Sequence, residues 1–168
     1  MRVFLLLLLL ATSIYSSLAQ DMSNEELQKI IKKQSDSIQD RSRLGYWQFH
    51  KEDVLLICVT DTKANRMRIM SPITKVEQLN NELLLNSLTA NFHTALDVKY
   101  AISDNILWSV FIHPLKELAT HQVEDAISQV YYANLTFGYT YSSTNLVFPG
   151  KKENSEKQKD TNNPKTKH

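Results

Sequence analysis

The sequence predicts a two-layer α+β domain, an antiparallel sheet with helices on one face, in the order α-β-β-β-α-β-β-α. Three observations carry that expectation. Two helix-opening patterns, Ser23 with Glu26 and Thr74 with Glu77, each precede apolar residues at helical spacing. Between them lie three short aromatic or β-branched runs separated by polar turns. Residues 92–102 then alternate with period two, the pattern of a half-buried strand. Short turns make these strands antiparallel neighbours, and the helices need one sheet face to cover.

The first helix is expected over residues 24–38, with Leu27, Ile30, Ile31 and Ile38 as its stripe and lysines opposite. Residues 46–50 form a short aromatic strand, and 51–53 read as a turn. Residues 54–60 are apolar on both faces, which predicts a central strand. Cys58 lies within it as a small buried hydrophobe, with nothing nearby to favour its thiolate. Residues 66–73 give a third strand, with Met67 and Ile69 on one face and Arg66 and Arg68 on the other. A second helix follows Thr74 and ends near Ala90, with Val76, Leu79, Leu83 and Leu84 as its stripe.

The hairpin is read as a strand over 92–102, a turn at 103–105 and a return strand over 106–112. Pairing Ile102 with Ile106 sets Tyr100 beside Trp108, Val98 beside Val110 and Leu96 beside Ile112, all facing the helices. A third helix spans 120–137 on Val123, Ala126, Ile127, Val130 and Phe137, with Gly138 just past its end. Residues 139–148 are expected to pack back on the domain.

Three regions differ in composition. Residues 1–19 have the form of a secretory signal: a basic start at Arg2, a nine-residue apolar stretch with six consecutive leucines, and small residues before a cut at Gln20. Residues 20–148 form the domain. Residues 149–168 hold six lysines, three acids and no large apolar side chain, so they are expected to stay disordered. The tail is a solubilising end or a weak contact to anionic surfaces. It has no aromatic residue, which argues against nucleic-acid binding. The domain itself holds 12 Lys/Arg and 15 Asp/Glu. One cysteine excludes an internal disulfide, and export without disulfides fits a periplasm better than full secretion. No Gly-rich phosphate loop, GxSxG or HExxH occurs. The glycosylation pattern at Asn134 falls in an expected helix and is discounted.

The texture of the elements resembles the type III secretion chaperone-like fold, a group that also includes YbjN-type proteins. The resemblance rests on Tyr46-Trp47-Gln48-Phe49, Val54-Leu55-Leu56-Ile57, Arg66-Met67-Arg68-Ile69, Leu83-Leu84-Leu85-Asn86, the strand 107–111 and Val123-Glu124-Asp125-Ala126. It covers residues 24–137. It implies a homodimer that uses no cofactor and holds a polypeptide along a hydrophobic or strand-edge surface.

Three groups of residues are candidates for a site. In the expected register Leu107 and Phe111 lie on the outer sheet face and need cover from a second copy, a bound segment or residues 139–148. Arg66 and Arg68, two apart on one strand, either grip a carboxylate or phosphate or stand solvated or paired with a nearby acid such as Asp61. His93, Asp97 and His113 fall on one face of the hairpin, a composition that serves a metal or acid–base site as readily as a structural network. The leading expectation is an exported, non-enzymatic protein-binding module of the bacterial envelope with no bound metal. The alternatives are an enzyme built on His93, Asp97 and His113, and a dimeric structural envelope factor.

Overall fold

A computed structural model describes residues 21–145. The expected signal segment, the tail 149–168 and the last residues of the expected packing segment lie outside the described residues. Ten elements follow in order: α1 Asn24–Gln34, β1 Ser37–Ile38, β2 Tyr46–Lys51, β3 Val54–Asp61, β4 Arg66–Lys75, a 3-10 turn Val76–Gln78, α2 Asn81–His93, β5 Lys99–Ser103, β6 Ile106–His113 and α3 Thr120–Leu135. Every strand pair is antiparallel, and the sheet order is β1-β2-β3-β4-β6-β5. The α+β class and the central position of β3 are as the sequence predicts.

Helix α1 starts where expected. Ser23 Oγ accepts the Glu26 N–H at 3.2 Å, and Leu27, Ile30 and Ile31 are buried. It ends four residues early because Ser35 takes an extended conformation, and Ile38 enters the two-residue edge strand β1. Helix α3 begins where Gln122 Oε1 accepts the Ala119 N–H at 2.7 Å. It lies against β3, β4 and β6, and α1 packs beside it. Trp47, Phe49, Leu56, Cys58, Met67 and Ile69 rise from the sheet to meet Leu27, Ile31, Val123, Ile127 and Val130. Leaving water is the driving force, at about 1.5–3 kcal/mol for each large apolar side chain fully buried.

The second helix departs from expectation at both ends. Thr74 stays in β4, where it pairs with Leu107, so it caps nothing. The N-cap is Asn80, whose Oδ1 accepts the Leu83 N–H at 2.8 Å. The helix then runs through His93, over residues whose alternation reads as strand. Residues 94–98 turn the chain, with Leu96 at φ 49°, and β5 starts only at Lys99.

The hairpin register is shifted by one residue from the expected pairing. Ser103 pairs with Ile106, Ile102 with Leu107 and Tyr100 with Ser109. The cause is the turn. Asp104 and Asn105 both take positive φ, at 51° and 61°, which makes a two-residue loop of the type that matches strand twist. A one-residue slip moves every side chain of the partner strand to the opposite face. Leu107 and Phe111 therefore point into the core, 2% and 6% exposed, and are not on the outer face. Residues 139–145 do pack back, through Tyr141 against Tyr100 and Phe137, but on the core side of β5.

Candidate functional site

The outer sheet face follows from the register. One rung across the strands is Tyr46, Val59, Arg68 and Ile112. The next is Gln48, Ile57, Met70, Val110 and Lys99. A third joins Pro72, Trp108 and Ala101. Both α1 and α3 lie on the other side of the sheet, and α2 flanks β5. The apolar residues of β3 on this face explain why that strand is hydrophobic on both sides. Ile112 is 53% exposed. A groove of about 490 Å³ opens at one end of the face, between Val59, Met70, Ile112, Asp61, Arg66 and Arg68. Arg66 and Arg68 thus stand where the sequence reading set them, exposed and on the outer face.

Of the three polar candidates, two come together. Asp97 and His113 line a second groove of about 520 Å³, walled by Leu96, Phe111 and Leu118. His121 and Asp125 line it too, and neither was singled out from the sequence. His93 does not line it; it sits exposed at the end of α2, edge-on to Phe92 at 4.9 Å. Removing 94–98 from the strand separates His93 from the other two. Gln129 is buried beneath the groove. Its amide donates to Asp97 Oδ2 at 3.3 Å and Asp125 Oδ2 at 2.6 Å, and its carbonyl accepts the Asp97 N–H at 3.2 Å. His113 Nδ1 donates to the Pro114 carbonyl at 2.8 Å, which leaves Nε2 as the acceptor. These groups tie one another and the backbone. Among the described residues no three His, Cys, Asp or Glu side chains are grouped to hold a metal.

Other reactive types are also committed. Burial pushes the Cys58 thiol far up, so its thiolate is disfavoured at neutral pH. Burial likewise raises Tyr100, whose hydroxyl donates to the Ala133 carbonyl at 2.9 Å. The hydrogen bond to the Glu52 carboxylate, with burial second, pushes Tyr131 up to about 12. Asn134, the glycosylation candidate, donates to Ser71 Oγ at 2.7 Å and the Pro72 carbonyl at 2.8 Å.

Two further surface features escaped the sequence reading. Helix α2 exposes Leu85, Leu88 and Phe92, the last to 86%, along one stripe. Asn91 closes the free edge of β5: its Oδ1 accepts the Tyr100 N–H at 2.7 Å and its Nδ2 donates to the Tyr100 carbonyl at 3.2 Å. The helical spacing 85, 88, 92 was available in the sequence. The Asn91 bridge was not, because it depends on where α2 ends.

No protein-family model matches the chain, and no curated protein is detectably similar in sequence. Solved structures do match. The HopA1–SchA chaperone–effector complex contains a chain 9% identical, with a TM-score of 0.51, covering 66% of this chain and 88% of that one. A chain of the ExsC–ExsE complex is 10% identical with a TM-score of 0.49, covering 68% of this chain and 92% of that one. At such identity the likeness to SchA's complex shows the fold alone. The domain has the type III secretion chaperone-like fold, a six-stranded antiparallel sheet carrying three helices.

Proposed function

We propose that the chain is an exported, non-enzymatic module that holds a polypeptide on the outer face of its sheet and works as a homodimer. The observation that carries the reading is that face: half-buried Val59, Met70 and Trp108 and exposed Ile112 surround buried Ile57 and Val110 in one apolar patch, with the helices on the opposite side. Leaving such an area in water is unfavourable, and a contiguous apolar patch marks an interaction site. A polypeptide as occupant is supported by the fold shared with a chain of a chaperone–effector complex. The interlocked polar groups around Gln129 and the buried thiol favour binding over catalysis.

Charge separates the two apolar surfaces. The rungs of the outer face carry Arg66, Arg68 and Lys99 against Asp61, whose Oδ1 is held by its own turn, so two copies set face to face would oppose mostly like charges. Within α2 the only charged or ionisable residues are Glu82 and His93, and its stripe of Leu85, Leu88 and Phe92 is neutral. A two-fold interface needs a patch that complements itself. The helix stripe takes the second copy and the sheet face takes the partner.

Export is the reading of residues 1–19, and it makes the chain an envelope member of the fold group that includes YbjN-type proteins. Sequencing of the mature N-terminus tests it: a start at Gln20 supports export and a retained Met1 rejects it. The binding reading is tested by a photoreactive residue at position 112, on the exposed face, crosslinked in cells. The expected product is a distinct polypeptide, lost when Met70→Asp is added to the still-folded protein. A product that contains only a second copy of the chain rejects the assignment of that face to a partner.

A further inference from the structure

We infer that the polypeptide held on the outer face carries an acidic side chain, which meets the Arg66/Arg68 end of the groove beside Val59, Met70 and Ile112. This rests on the proposed binding face and specifies the chemistry of its occupant. The groove is built on one side by apolar side chains and on the other by two guanidinium groups two residues apart on β4, with Asp61 also in its lining, two cations to one acid. Neither arginine forms an ion pair among the described residues, where the ion pairs are Lys29 with Glu26 and Lys33 with Glu124. Arg66 donates to the Asn65 carbonyl at 3.0 Å.

An aspartate stands directly across the ladder, yet it leaves the arginines unpaired. Asp61 is the register partner of Arg66. Its Oδ1 instead accepts the Lys63 and Ala64 N–H groups, at 3.0 and 2.9 Å, and so builds the β3–β4 turn. The charge at this end is reinforced from β2's side: the Arg43 guanidinium lies 5.2 Å from the centroid of the Tyr46 ring, in the same rung as Val59 and Arg68. A basic end on an apolar face complements a segment in which an acid flanks apolar residues. Arginine forks match a carboxylate with two parallel hydrogen bonds, and the neighbouring apolar walls exclude water from the pair.

The test is a selection from a displayed library of random 12-residue peptides, run in parallel on three proteins in low salt. These are the wild type, Arg66→Gln/Arg68→Gln, and Met70→Asp/Ile112→Asp, each first shown to be folded by circular dichroism. On the wild type, peptides pairing Asp or Glu with apolar residues are expected to be enriched about five- to tenfold over their amide counterparts. That preference should vanish on the arginine variant while apolar enrichment persists. Apolar peptides enriched without acids on the wild type would overturn the charge inference and leave the binding face standing. Equal enrichment on the wild type and on Met70→Asp/Ile112→Asp, or none on any protein, would overturn the face itself and the inference with it.

Discussion

Adjacent residues on β6 should respond very differently to truncation, because the hairpin register puts them on opposite faces. Phe111 is paired with Ile69 and stacked at 5.9 Å on His113, inside the core. Replacing a buried phenylalanine by alanine costs about 3–5 kcal/mol. Phe111 also borders the groove of Asp97 and His113, so neighbours can relax into the space; about 3 kcal/mol is expected. Ile112 points outward and keeps half of its surface in water, so Ile112→Ala should cost only about 1 kcal/mol. With a urea slope of about 2 kcal/mol per molar, the midpoint falls by about 1.5 M for Phe111→Ala and about 0.5 M for Ile112→Ala. Urea unfolding followed by circular dichroism, at one fixed protein concentration, reads both. If Ile112→Ala lowers the midpoint as much as Phe111→Ala, the two faces of β6 are reversed and the outer surface described above does not exist.

Three other outcomes follow from the same geometry. Leu88→Asp combined with Phe92→Asp should convert a dimer to a monomer in sedimentation equilibrium without loss of helix signal, since both side chains are exposed. Asn91→Ala removes both hydrogen bonds to Tyr100; it should cost about 1–2 kcal/mol in chemical denaturation and increase concentration-dependent association through the opened β5 edge. Tyr131 carries a pKa raised to about 12 by its bond to Glu52, so its contribution to stability is present below the unfolded tyrosine value and lost as pH rises through the folded one. Glu52→Gln should therefore let Tyr131 ionise closer to its ordinary range, read by ultraviolet titration against the parent.

The class of fold was legible because burial periodicity survives small errors of boundary. The stripe of α1, the paired faces of β3 and the alternation within 66–73 each point to the layer they occupy. What failed depended on single residues. Asp104-Asn105 is a good pair for a two-residue turn, since both side chains tolerate positive φ, but treating Ser103 as part of the loop displaced the register by one. That single step sent Leu107 and Phe111 to the wrong face and hid Ile112, Val110 and Trp108. The false strand over 92–98 has a different origin. The apolar residues of α2's last turn happen to continue into an alternating run, and only the backbone reversal at Leu96 separates them. Arg66 and Arg68 were placed correctly because they alternate with buried Met67 and Ile69, and that alternation alone decides the face. Their lack of ion partners was not legible, because it depends on Asp61 turning to its own loop.

The two edges of the sheet also constrain how a partner can be read. Strand addition needs a run of free backbone groups along an edge. At one side β1 offers two residues, and at the other the Tyr100 N–H and carbonyl of β5 are already taken by Asn91. Short and covered edges are how sheets avoid pairing with other chains. A segment docked on this protein is therefore recognised mainly by side chains meeting the face, with little help from a shared hydrogen-bond ladder. Such recognition leaves the partner's register open along an apolar surface, since apolar contacts are non-directional. The cations at one end then matter beyond their modest contribution to affinity. A carboxylate fixed by Arg66 and Arg68 sets which residue of the partner comes next to Val59, Met70 and Ile112, and so converts a general apolar surface into one that holds a segment in a single alignment.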